Sequence, residues 1–121
     1  MGTIAVVGLS PRPERPSHQV ARYLKSNGYR IIPVNPGHAE ILGEPCYGNL
    51  KLIPDPVDVV DIFRRPEYVG PVVEDAIAMG AQAIWLQDGV VNRSAARLAE
   101  KAGLWVVMDD CMSRQHRLLF P

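Results

Sequence analysis

The run Thr3-Ile4-Ala5-Val6-Val7 stops abruptly at Gly8 and passes through Leu9-Ser10-Pro11-Arg12-Pro13-Glu14-Arg15-Pro16 before a helical pattern begins at Ser17. A short apolar run, a glycine turn and a helix N-terminus in that order commit the chain to a strand-loop-helix unit. Such a unit sets backbone N–H groups and the positive end of a helix dipole at one edge of a sheet. Pro11, Pro13 and Pro16 stiffen the connection and keep it out of helix. Arg12 and Arg15 lie within it, so its natural guest is an anion; the plainer reading is a solvated loop.

The pattern then repeats. Ser17 is the expected N-cap of a helix that runs to about Asn27, with Val20, Ala21 and Leu24 inward and Gly28 as its left-handed cap. Arg30–Val34 reads as the second strand and Asn35-Pro36-Gly37 as a turn. Residues 38–57 read as an irregular excursion with a short strand and a helical turn at Leu50–Ile53. Val57–Phe63 is the third strand, its nearly continuous apolar character fitting burial on both faces. A helix opens at Pro66 and stops at Gly80, Ala83–Leu86 is the fourth strand, and a helix follows from Asn92 to Lys101. Leu104–Met108 is the fifth strand, and Arg114–Phe120 is a terminal segment that packs back on the body. Strands alternating with helices predict an α/β fold: a Rossmann-like, doubly wound, five-stranded parallel sheet with helices on both faces in three layers.

With 121 residues, the expectation is one domain over 1–121. Thirteen basic and thirteen acidic residues balance, and no charge run exceeds a pair, which argues against a nucleic-acid partner. No apolar stretch approaches the roughly 18 residues of a membrane span. No secretion signal is read at the N-terminus, Val6 breaks a myristoylation pattern, and a cytoplasmic location is expected. Cys46 and Cys111 lack metal-ligand spacing and read as two reduced thiols.

In such a sheet the strand-to-helix loops open on one edge. Here they carry Gly8, Ser10, Arg12, Arg15, Asn35, His38, Arg64, Arg65 and Gln87, a polar and partly cationic set suited to a phosphorylated ligand. A nicotinamide dinucleotide lacks its usual warrant. Only Gly8 of the G-x-G-x-x-G pattern is present, and the second strand ends in Val34-Asn35 where a ribose-binding acid would stand.

Ile4–Ser10 with Arg12 and Arg15, the segment Tyr29–Pro36, Asp58–Arg64, Trp85–Gly89 and the late Asp109-Asp110-Cys111 together resemble the stand-alone CoA-binding proteins. These are similar to the CoA-binding part of the succinyl-CoA synthetase α-subunit. The resemblance covers nearly the whole chain and implies coenzyme A as ligand, bound at the C-terminal edge of the sheet. It implies Gly8, Ser10, Pro11 and Arg12, with Ser17, at the phosphates, and Val34, Asn35, Pro36 and His38 around the adenosine. Phe63, Arg64, Gln87 and Asp88 would line the pantetheine arm. Two departures stand out: Pro11-Arg12-Pro13 replaces a glycine and small-residue turn, and the family's lysine near His38 is missing. The chain also lacks, ahead of the first strand, the leading helix of many relatives.

No catalytic set accompanies the resemblance. The synthetase's phosphorylated histidine belongs to another domain, so His18, His38 and His116 are not inherited as catalysts. Asp109, Asp110 and Cys111 read as turn and cap residues, although Cys111 on a ligand-side loop also suggests a mixed disulfide with the CoA thiol. The expectation is therefore binding of CoA or an acyl-CoA without catalysis. The alternatives are an NAD(P)-binding or acyl-CoA-transferring enzyme subunit that needs a partner, and a protein-interaction module using Leu118-Leu119-Phe120. A homodimer through exposed apolar residues such as Tyr47 or Trp105 is left open.

Overall fold

The computed structural model describes residues 2–120. The chain runs β1 (Thr3–Val7), α1 (Pro16–Ser26), β2 (Arg30–Val34), β3 (Glu40–Ile41), β4 (Glu44–Pro45), β5 (Val59–Ile62), α2 (Val69–Ala78), β6 (Ala83–Leu86), α3 (Arg93–Lys101), β7 (Trp105–Val107) and α4 (Met112–Leu119). Five strands form one parallel sheet in the order β2-β1-β5-β6-β7. The winding direction reverses between β1 and β5, the switch point at which open α/β sheets form their ligand crevice.

Both faces of the sheet are covered, which is why its strands are apolar throughout. Ala5, Val7, Ile32, Val34, Val60, Ile62, Ile84 and Leu86 pack on one side against Val69, Val73 and Ala76 of α2 and Ala95 and Ala99 of α3. On the other side Ile4, Val6 and Ile31 meet Val20, Ala21 and Leu24 of α1. α4 lies beside α1 and is held mainly by polar and aromatic contacts. The Tyr23 hydroxyl is bonded to His116 Nδ1 at 2.8 Å, and the His116 ring lies 5.6 Å from that of Tyr29 and 4.9 Å from that of Phe120.

Several boundaries differ from expectation. α1 begins at Pro16, whose fixed φ suits the first helical position, so Arg15 and not Ser17 is the cap residue. The third strand of the sheet is shorter than Val57–Phe63; Asp58 instead accepts the Thr3 N–H on Oδ2 at 2.7 Å and closes the sheet's lower rim. The excursion holds a hairpin, β3 with β4, turning through Leu42 and Gly43, both at positive φ. Lys25 of α1 secures it by donating to the Leu42 carbonyl at 2.6 Å. The terminal segment is the helix α4. Tyr47 is not an exposed apolar residue: it packs on the core and bridges to Val34 at the outer edge of β2. Trp105, by contrast, is 80 % exposed.

Gly8 closes β1. Its φ is +85°, its N–H donates to the Val34 carbonyl at 2.8 Å, and a Cβ there would collide with the Phe63 carbonyl oxygen. The ends of β1, β2 and β5 therefore converge on a position that admits no side chain. Gly8→Ala should lower unfolding free energy by on the order of 3 kcal/mol, from left-handed strain plus the collision, as measured by urea denaturation.

One strand breaks the apolar rule. Asp61, midway along β5 between Val6 and Trp85, is fully buried, and burial pushes its carboxyl up to about 7 despite the hydrogen bond from Gln87. A raised carboxyl in the fold means the native state holds the proton more tightly than the unfolded chain. The contribution of Asp61 to stability is thus greatest below about pH 4, falls as pH rises toward 7, and is level above it. Urea titrations should show the wild type losing on the order of 4 kcal/mol more than Asp61→Asn between about pH 4 and 7.

Candidate functional site

The C-terminal edge of the sheet opens into a cleft of about 910 Å³ formed by the loops after β1, β2, β5, β6 and β7. That size matches the range of small-molecule sites. Of the residues singled out from sequence, it brings together Gly8, Ser10, Pro11, Arg12, Ser17, Asn35, His38, Phe63, Arg64, Gln87 and Asp88. It leaves out Val34 and Pro36. Both line a separate pocket of about 260 Å³ on the α2 side, with Gly8 and Arg64 forming walls of both spaces. Val34 is turned into the core, because the alternation of β2 points it at the α2 layer.

The loop after β1 is built differently from a phosphate cradle of free glycine N–H groups. Gly8 N–H is committed to Val34, Ser10 N–H donates to Ser17 Oγ at 3.0 Å, and Arg12 N–H donates to Ser10 Oγ at 3.1 Å. His18 Nδ1 donates to the Ser10 carbonyl at 2.9 Å, and Asn35 Nδ2 donates to the Leu9 carbonyl at 2.8 Å. Ser17, His18 and Asn35 thus brace the loop from two elements. The first turn of α1 reaches the cleft through Pro16 and Ser17, and the N–H groups of Ser17 and His18 have no partner among the described residues.

Four guanidinium groups line this cleft: Arg12, Arg15, Arg64 and Arg65. Among the described residues none pairs with a carboxylate, whereas Lys25, Arg30, Lys51 and Arg114 all do. Arg64 lies over the Tyr68 ring, 5.2 Å from its centroid. Unpaired arginines beside a helix N-terminus give a positive field suited to phosphate. The carboxylate at the far side, Asp88, does not oppose them freely. Arg114 of α4 grips both its oxygens at 2.9 and 3.0 Å, holding its carboxyl below the usual range.

Arg15, Arg65 and Cys111 also line the cleft beyond the residues the resemblance assigned. Cys111 Sγ lies 3.3 Å from Ser113 Oγ. Cys46 is elsewhere: it sits at the end of β2, donating to the Asn35 carbonyl, and burial pushes its thiol up. Sequence reasoning passed over Asp61, though an acid in the middle of an apolar strand is itself a signal. Gln87 Nε2 donates to Asp61 Oδ1 at 2.6 Å, linking the buried acid to the cleft wall. Among the described residues no group of three His, Cys, Asp or Glu side chains could hold a metal ion, and no helix is long and apolar enough to cross a membrane.

Comparison with known proteins places this architecture. The chain is 43% identical over 113 residues to the uncharacterized protein YneT of Bacillus subtilis (strain 168), covering 93% of this chain and 84% of that one. A hypothetical protein from Pyrococcus horikoshii OT3 superposes with a TM-score of 0.95 at 44% identity, over 98% of this chain and 83% of that chain. Acetate–CoA ligase [ADP-forming] I of Archaeoglobus fulgidus is 27% identical over 119 residues, and this chain spans 90% of itself but only 17% of that enzyme. The family described as CoA binding domain matches residues 2–117. The family model covers nearly the whole chain and the fold matches the solved relative, so the chain belongs to the CoA-binding domain family.

Proposed function

We propose that the cleft binds coenzyme A or a CoA thioester. The observation that carries this reading is the set of four guanidinium groups without carboxylate partners around one cleft, beside the open first turn of α1. CoA brings a pyrophosphate and a 3′-phosphate, and charge-assisted bonds from arginine to phosphate are among the stronger polar contacts.

The order of loops along the sheet suggests the ligand's direction. The adenosine lies at the β2 end, with Asn35 and His38 on the cleft side and Val34 and Pro36 lining the smaller pocket behind Gly8. The phosphates lie against Ser10, Pro11, Arg12 and the first turn of α1, with Arg64 reaching them from β5. The pantetheine arm then runs past Phe63 and Gln87 toward Asp88 and Cys111. From β2 to β7 this path crosses four strand spacings, roughly 19 Å. The reading is one of binding alone. The reaction of the acetate–CoA ligases belongs to proteins of which this chain spans 12–26%.

Calorimetric titration with CoA, 3′-dephospho-CoA and NAD⁺ in parallel tests it. CoA should bind, and both competitors should bind more weakly. Arg12→Ala and Arg64→Ala should each weaken CoA roughly tenfold, the scale of one charge-assisted hydrogen bond. No heat with CoA, or equal affinity for NAD⁺, would overturn the proposal.

A further inference from the structure

Asp61 is a poor choice for its place in the fold. It occupies the middle of a central strand, is flanked across the sheet by Val6 and Trp85, and leaves Oδ2 buried with no hydrogen-bond partner. The Trp85 indole gives it nothing, because Nε1–H is committed to the Asp110 carbonyl at 2.8 Å. An apolar residue would suit the position better, since a buried oxygen without a partner destabilises the fold. A residue that breaks a local rule without structural return points to function.

Its one partner is at the cleft. Gln87 is only 3 % exposed, lines the cleft and turns Nε2 inward to Asp61 Oδ1 at 2.6 Å. Once ionised, as it is at pH 8, the Asp61 carboxylate accepts only, so it selects the nitrogen end of the amide. The other end, Oε1, has no partner within the protein among the described residues, yet Asp61 Oδ2 is the buried side-chain atom left unpaired, so Oε1 is not sealed inside.

We propose that Asp61 is a positioning residue that locks the Gln87 amide so that the cleft presents Oε1 to an N–H donor of the bound ligand. Resting on the CoA reading above, the donor is an amide N–H of the pantetheine arm, the part of CoA that passes the end of β6. The nucleotide half lies at the β1 and β2 loops and does not meet Gln87. Without Asp61 the amide is free to turn either end outward, and the ligand meets a mixed surface in place of an ordered acceptor.

The test compares wild type, Asp61→Val and Asp61→Asn by calorimetry with CoA and with adenosine 3′,5′-bisphosphate, which lacks the arm. Valine suits a buried strand, so D61V should fold and gain stability at pH 8. It should nevertheless bind CoA about fivefold more weakly, the worth of one neutral hydrogen bond, while the bisphosphate is unaffected. Asparagine can donate from Nδ2 as readily as accept on Oδ1, so it does not select the nitrogen end of the amide, and at pH 8 D61N should recover only part of the lost CoA affinity. Unchanged CoA affinity in D61V, full wild-type affinity in D61N, or an equal loss with the bisphosphate would overturn the proposal.

A ligand-free readout separates this inference from the CoA reading. The Gln87 side-chain amide should give a slowly exchanging ¹⁵N–¹H pair in wild type that is lost in D61V. If the wild type binds neither ligand, the CoA reading fails, and this pair alone shows whether Asp61 orients Gln87. If the wild type has no protected pair, Asp61 does not orient Gln87, whatever binds.

Discussion

The Gly8 N–H bonded to the Val34 carbonyl, with the Phe63 carbonyl pressed against its α-carbon, draws the ends of three strands together at the switch point. The cleft at the C-terminal edge of the sheet is built around that contact. It directs the chain away from β1 into the proline-stiffened loop, sets Arg64 between the cleft and the smaller pocket, and leaves the first turn of α1 facing open space. A side chain at Gly8 would push β5 and its two arginines away from the loop they share the cleft with.

The loop's internal bonding leaves few of its N–H groups free. In glycine-rich phosphate loops, backbone N–H groups make the contacts. Here Ser10, Ser17, His18 and Asn35 consume most of the polar capacity of the loop in fixing its shape. Positive charge then comes from guanidinium groups on a rigid frame. This is a physical account of how Pro11-Arg12-Pro13 can stand where a small-residue turn is usual: the prolines give up N–H groups while the arginine supplies charge.

Much of this was legible in the residues, and the exceptions have causes. The five sheet strands could be read because each is a short apolar run between turn signals, and a strand covered on both faces leaves no ambiguity of side. The β3–β4 hairpin could not. Its turn needs positive φ at both central positions and uses Leu42-Gly43, where Asn-Gly or Asp-Gly would have announced it. Ser17 read as a cap because serine before a helix usually is one; Pro16 took the first helical position and freed the hydroxyl for Ser10. Val34 and Asn35 were adjacent in the reading but part company in space, since neighbouring residues on a strand face opposite layers. Asp61 went unremarked because period and composition describe where a strand lies, not what one acid within it does.

The two outer margins of the sheet are unlike each other. Along β2, Pro33 has no N–H to offer, its carbonyl accepts the Tyr47 N–H at 3.0 Å, and Asn35 N–H returns to the Tyr47 carbonyl at 2.9 Å. That margin is closed by the chain itself. Along β7 the exposed strand is three residues long and carries an outward Trp105. Extension of the sheet by an added strand therefore has a polarity in this molecule: it is blocked at β2 and open only over three residues at β7, too short a template for stacking chain upon chain.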